Sequence, residues 1–193
     1  MNLFHHAVFP SIITEVNCDF YQYIRDPLID WIYQYQKTTE GVIVSNRGGW
    51  QSPSDFWKQE SFFDFKDYIL NNIFSALRHY NQEFVMSNMW ININKKGDYN
   101  IPHNHPSSTI SGVFWVKTSD KCGKLSFPSP NLFYEARLLN SIDKNIREEQ
   151  NYCESFHFLP QEGKMILFPP QLYHGVAPNE SDEDRISIAF NLQ

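Results

Sequence analysis

The chain has 193 residues, 41% of them hydrophobic and 16% aromatic, enough apolar material for one sizeable core and too much for a disordered or low-complexity protein. Its 16 basic and 22 acidic residues leave a formal net charge of −6, which argues against nucleic acid or an anionic membrane as the main partner. Three cysteines without a CxxC read as reduced intracellular thiols, and neither a signal-peptide pattern nor a bilayer-length apolar run is visible, so a cytoplasmic protein is expected.

The first third reads as mixed and helical. HHAVFPSIITEV accommodates a short strand. DFYQYIRDPLIDWIYQYQK places Phe20, Tyr23, Ile24, Leu28, Trp31, Ile32 and Tyr35 near a 3.6-residue period, which predicts a helix that breaks or restarts at Pro27. SNRGGWQSPSDFW reads as a long loop from its Gly, Pro and Ser content. FFDFKDYILNNIFSALRHY predicts a second helix through Phe65, Tyr68, Ile69, Ile73, Phe74, Leu77 and Tyr80.

From Phe84 onward the pattern changes. Short apolar or alternating runs follow one another between Gly, Pro, Asn and Ser: FVMSNMWININ, TISGVFWVKT, GKLSFP, SFHFLP, GKMILFPP, YHGVAP and DRISIAFNLQ. Short strands spaced by turns predict a sandwich or barrel, and there is no β-α-β rhythm, phosphate loop or internal repeat. The expected fold class is mainly β with N-terminal helices (α+β). Residues 1–83 are expected to form a helical and loop part packed on a β core over 84–193, all in one domain.

Three signals in the β part carry chemistry. In IPHNHP, His103 and His105 stand two positions apart, so in an extended segment they face the same side. Alone, the pair is more simply a solvated polar loop. His174 follows GKMILFPP, at the mouth of the β core, and singly reads as a structural histidine. Together, an HxH pair and a later histidine can converge on one metal, and neutral imidazole suits iron, zinc, copper and nickel. In DRISIAFNLQ, alternation puts Arg185, Ser187 and Ala189 on one face and Ile186, Ile188 and Phe190 on the other. A buried arginine needs an anionic partner, because an unpaired buried charge is costly. Its planar fork suits a carboxylate, and the simpler alternative is a salt bridge to an acid of the neighbouring ESDED.

The order HxH, FPPxLxH and RxS resembles the iron- and 2-oxoglutarate-dependent oxygenases. The nearest resemblance is to a subgroup of unassigned substrate with the pattern W-x-N, G-x5-H-x-H-P, SGV, FP-x2-L-x-H-x-V and R-x-S-x2-F-N. Here those positions are Trp90, Asn92, Gly97, His103, His105, Pro106, Ser111, Gly112, Val113, Phe168, Pro169, Leu172, His174, Val176, Arg185, Ser187, Phe190 and Asn191. The match covers about 84–193. It implies a double-stranded β-helix, or jelly-roll, with Fe(II) held by His103, His174 and, by position, His105. It also implies 2-oxoglutarate held at its far carboxylate by Arg185 and Ser187. The resemblance further implies that O2 is consumed, that 2-oxoglutarate is converted to succinate and CO2, and that a substrate C–H bond is hydroxylated.

One position departs from the superfamily, whose metal site is two histidines and a carboxylate. His105 stands where the carboxylate belongs. It either ligates the metal, or stands behind it while another group completes the sphere, or marks a preference for another metal. An imidazole there leaves no room for halide, which disfavours halogenation. A cupin-like three-histidine metalloenzyme that does not use 2-oxoglutarate is the second reading, since Gly97 through His105 fits G-x5-H-x-H. However, the glutamate that pattern needs falls at Thr109 or Ile110, and Arg185 and Ser187 have no role in it. A non-catalytic jelly-roll is the third.

Smaller expectations attach to other residues. Trp90, Asn92 and Asn94 share a face opposite Ile91 and Ile93, so Asn92 is expected either to bind a cosubstrate carboxylate or carbonyl or to serve in structural hydrogen bonding, and Ser111 on the next strand carries the same two readings. Trp50 and Gln51 read as a packed loop rather than a substrate mouth. Arg47 and Arg137 read as exposed charges, while His5, His6, His79 and His157 show no partner pattern. The substrate is not legible, and the composition permits a homodimer.

Overall fold

The computed structural model describes residues 10–130 and 136–193. His5 and His6 lie outside the described residues, as does the side chain of Arg137.

Eleven strands are described: β1 (Thr14–Asn17), β2 (Asn46–Arg47), β3 (Trp50–Gln51), β4 (Met86–Asn94), β5 (Tyr99–His103), β6 (Ile110–Lys117), β7 (Leu125–Pro128), β8 (Ser155–Phe158), β9 (Lys164–Phe168), β10 (His174–Val176) and β11 (Arg185–Leu192). They form two antiparallel sheets, ordered β1-β9-β6-β11-β4-β3 and β2-β5-β10-β7-β8. All seven runs expected after Phe84 are strands. The order along each sheet is far from the order along the chain, as in a double-stranded β-helix rather than a meander. The helices are α1 (Tyr21–Thr38), α2 (Phe63–Leu77), α3 (Ala136–Ser141) and α4 (Lys144–Glu149).

Two apolar clusters organise the layers. The larger lies between the helices and the outer face of the six-stranded sheet. Leu28 and Ile32 of α1 and Ile69 and Ile73 of α2 meet Ile91, Phe114, Ile186, Ile188 and Phe190 there. Each such side chain contributes about 1.5–3 kcal/mol on burial. The smaller cluster fills the space between the two sheets, where Trp115, Ile166 and Phe168 face Leu125 and Phe127.

This packing explains why α1 runs through Pro27, where the sequence predicts a break. An interior proline costs about 3 kcal/mol. The burial of Leu28, Ile29 and Ile32 outweighs that cost. Polar ties add to it: the Tyr21 hydroxyl donates to Val116 O, and Arg25 pairs with Glu162 at 2.6 Å.

The predicted long loop after α1 contains β2 and β3. Trp50 and Gln51 pair with Ile93 and Asn92 of β4, so the loop is sewn to the sheet, and Trp50 Nε1 donates to Thr39 O at 3.1 Å. Among the described residues no helix is long and apolar enough to cross a membrane.

Candidate metal and oxoacid site

The inner face of the six-stranded sheet is a grid set by strand register. Asn94 stands opposite Arg185, Asn92 opposite Ser187, and Trp90 opposite Ala189. On the other side of β11, Ser187 stands opposite Trp115 and Ala189 opposite Val113. These residues, with His103, His105 and His174, line one cavity between the sheets. The alternation in WININ and RISIA therefore separates the cavity face from the helix face, as the sequence predicts.

His103 and His174 are register partners on β5 and β10. His105 follows β5 in a turn fixed by two backbone bonds, His105 N to Pro170 O at 2.8 Å and Ser108 N to His105 O at 3.1 Å. The three histidines each offer a ring nitrogen within 4.8 Å of the others. The ring centroids are 4.4 Å apart for His103 and His174, 5.1 Å for His103 and His105, and 5.0 Å for His105 and His174.

Every one of these rings has its Nδ1 engaged. His103 Nδ1 is 2.8 Å from Ile101 O, and His174 Nδ1 is 2.9 Å from Leu172 O. His105 Nδ1 is 2.6 Å from Asn191 Oδ1. A carbonyl oxygen only accepts, so the Nδ1 hydrogens of His103 and His174 are donated there and Nε2 keeps its lone pair. Burial lowers the pKa of all three rings, and takes His174, packed against Phe168 and Phe127, down to about 3. The rings are neutral at neutral pH and able to bind a cation. Three imidazoles with outward Nδ1 bonds are the donor set that a divalent transition metal takes.

Arg185 is 1% exposed. Its Nη1 donates to Cys122 O, to Ala177 O at 3.2 Å and to Gly123 O at 3.4 Å. The salt bridge offered by ESDED is not formed: Asp182 pairs with Lys96, Glu183 with Lys117, Asp184 accepts from Tyr33, and Glu180 is exposed. Arg185 Nη2 is buried without a partner, and so are Asn94 Nδ2 and Asn92 Oδ1. Burial lowers the Arg185 pKa to about 10, so it stays charged at neutral pH. A buried cation with a free donor awaits an anion.

Gly123 makes this seat. It has φ +88°, and a Cβ there would lie 2.2 Å from Ala177 O and 2.6 Å from Arg185 Nη1.

Ser111 is the one expected cosubstrate contact that the structure places elsewhere. It is fully buried, with its hydroxyl 3.0 Å from His105 Nδ1 and 2.6 Å from Asn191 Oδ1, and it does not line the cavity. Two residues given no role by the sequence reading enter instead, Asn94 beside Arg185 and Asn191 behind His105. Extending the alternation of β11 by one step, from Ala189 to Asn191, would have found the second. Trp50 and Gln51 are absent from the cavity lining, and His157 bonds Ser126 on the exposed side of the smaller sheet.

Residues 88–191 match the family described as "Putative 2OG-Fe(II) oxygenase". The chain belongs to this family. The match spans the HxH pair, His174 and the RxS pair, which sets aside the cupin-like and non-catalytic readings. The protein is thus an iron- and 2-oxoglutarate-dependent oxygenase.

Solved structures show the same fold around this oxygenase. HygX from Streptomyces hygroscopicus, with nickel and 2-oxoglutarate bound, is 10% identical with a TM-score of 0.64, over 93% of this chain and 82% of that one. A Pseudomonas putida prolyl-4-hydroxylase is 12% identical with a TM-score of 0.59, over 94% and 91%. SnoN, a non-heme alpha-ketoglutarate-dependent epimerase from nogalamycin biosynthesis, is 10% identical with a TM-score of 0.68, over 94% and 77%. No curated protein matches the chain.

Proposed function

We propose that this oxygenase hydroxylates a C–H bond of its substrate, with Fe(II) on His103, His105 and His174 and the far carboxylate of 2-oxoglutarate on Arg185. One observation carries the reading. A single cavity has three imidazoles converging at one end and a buried guanidinium nitrogen without a partner at the other.

Iron and 2-oxoglutarate, when bound, supply the O2-dependent oxidising chemistry, with succinate and CO2 as co-products. The chain's own residues hold and exclude. Three neutral imidazoles bring no charge to the metal, so the near carboxylate of the oxoacid would offset part of the charge of a divalent ion, while the far carboxylate would pair with Arg185. Arg185 Nη2 and Asn94 Nδ2 are buried donors without partners on register-paired residues that line the cavity, so both would be available to the far carboxylate, and Ser187 would add a hydroxyl from the same face. Asn92 Oδ1, buried without a partner on the same face, is a further polar atom available to the oxoacid. Trp90, with its ring 5.7 Å from that of His105, walls the metal end. With an imidazole in place of the carboxylate ligand, no position is vacated for halide, which supports hydroxylation over halogenation.

The same reading treats residues 1–193 as one domain, supported by the cluster that α1 and α2 share with the sheet. It places the protein in the cytoplasm, supported by Cys18, Cys122 and Cys153 all being free thiols.

Calorimetric titration of 2-oxoglutarate into the Ni(II)-loaded protein tests the proposal. Arg185→Ala should weaken oxoacid binding at least a hundredfold while the metal stays bound. Equal affinity in the variant rules the carboxylate seat out.

A further inference from the structure

Behind His105 runs a row of polar side chains that face the cavity side of the sheet but line no part of the cavity. Asn191 of β11 stands opposite Asn88 of β4 and opposite Ser111 of β6. The Asn191 Oδ1 accepts the Ser111 hydroxyl at 2.6 Å and lies 2.6 Å from His105 Nδ1. The Asn191 Nδ2 donates to Asn88 Oδ1 at 2.8 Å. Asn191 and Ser111 are both buried.

The row solves a problem that an imidazole raises at this position. A carboxylate presents a lone pair to a metal whichever oxygen faces it. An imidazole does so through Nε2 only if the hydrogen sits on Nδ1. For His103 and His174 a backbone carbonyl makes that choice. For His105 the partners are the Asn191 amide at 2.6 Å and the Ser111 hydroxyl at 3.0 Å, each of which can either donate or accept. The orientation of the amide is set by its other contacts. The amide NH2 is committed to Asn88 Oδ1, and the amide oxygen already receives the Ser111 hydrogen. With the Ser111 hydrogen donated to Asn191 Oδ1, both oxygens beside His105 Nδ1, the amide oxygen and the hydroxyl oxygen, are left to accept.

We infer that Asn191, oriented by Asn88 and Ser111, is the positioning residue that makes His105 a metal ligand. It takes the Nδ1 hydrogen, fixes the ring plane and leaves Nε2 for the metal. This rests on the three-histidine reading and decides the role of His105 within it. Outer partners of metal-bound histidines typically carry a 10–100-fold effect on metal affinity.

The test uses the full chain loaded with Zn(II) and uniformly labelled with 15N. Long-range 1H–15N correlation of the imidazoles reports which nitrogen carries hydrogen and which binds metal. The expected result is a protonated Nδ1 and a metal-shifted Nε2 on all three rings. If His103 and His174 are metal-shifted but His105 carries its hydrogen on Nε2, the inference is overturned and the other two ligands stand. If no ring is metal-shifted, the underlying metal site falls, and the inference with it.

Two variants give a second readout, Co(II) affinity and visible spectrum. Asn191→Leu keeps the shape and removes the acceptor, and should lose 10–100-fold in affinity with an altered spectrum. Asn191→Asp keeps an acceptor and should bind within about threefold of the parent, or tighter. Parental affinity and spectrum in Asn191→Leu overturn the inference. If Asn191→Leu does not fold, the imidazole spectrum of the parent protein still decides.

Discussion

Asn94 and Arg185 face each other across β4 and β11, and each holds one buried donor without a partner, Asn94 Nδ2 and Arg185 Nη2. A hydrogen bond to a charged group contributes about 1.5–3 kcal/mol, which is roughly 10–150-fold in affinity. Asn94→Ala should therefore weaken 2-oxoglutarate binding about tenfold or more without changing metal affinity. Asn94→Asp, which sets a carboxylate against a carboxylate, should weaken it further. Calorimetry on the Ni(II)-loaded variants reads both, and an Asn94→Ala affinity equal to the parent's would remove Asn94 from the seat.

Gly123 connects backbone geometry to the same seat. Alanine there is strained at φ +88° and drives its Cβ into Ala177 O and Arg185 Nη1. Gly123→Ala should cost about 1–3 kcal/mol of stability. It should also weaken 2-oxoglutarate binding, because the guanidinium is pushed off its carbonyls. Urea unfolding and oxoacid titration on one preparation measure the two effects. A stability loss with unaltered oxoacid affinity would mean that Arg185 holds its place without the turn.

Much of this site is legible in the sequence because strands have a period of two. WININ and RISIA each split into an apolar row and a polar row, and the polar rows become the cavity floor. Other features depend on pairing that no local pattern encodes. β2 and β3 are two-residue strands in a glycine-rich segment, recruited only by β5 and β4. β5, which carries His103, contains Pro102 and two asparagines in its neighbourhood and has little strand character of its own. Ser111 lies on the predicted face, but its hydroxyl is claimed by Asn191, eighty residues away in sequence. The run through Pro27 reflects tertiary burial overriding local propensity.

Protonation should destabilise the metal-free protein in a defined window. Burial holds the His174 pKa at about 3, against an ordinary value of 6.5, and lowers those of His103 and His105 too. A base with a depressed folded-state pKa binds fewer protons folded than unfolded. Its contribution to stability is complete above pH 6.5 and is lost as the pH falls toward 3. For His174 alone the slope is about 1.4 kcal/mol per pH unit. The urea midpoint of the metal-free protein should be flat from pH 7.5 to 6.5 and fall between 6.5 and 5, before most carboxylates titrate. His174→Leu should reduce that slope. A midpoint constant down to pH 5 contradicts the buried neutral imidazoles.

The oxoacid should also stabilise the protein it binds. At a concentration a hundred times its dissociation constant, a ligand specific to the folded state adds about 2.7 kcal/mol. Thermal unfolding of the Ni(II)-loaded protein should shift upward with 2-oxoglutarate, and much less with succinate, which lacks the keto oxygen that would reach a metal on the three histidines. Arg185→Ala should abolish the shift. Equal shifts with both acids would place the ligand on Arg185 without contact to the metal.

The most direct measurement is an anaerobic titration with Fe(II) and then 2-oxoglutarate, followed by visible absorption. A charge-transfer band that requires both additions and disappears in His174→Ala is expected, and it puts the oxoacid on an iron held by this cluster. Iron binding without any band on addition of 2-oxoglutarate would contradict a single cavity joining His103, His105 and His174 to Arg185.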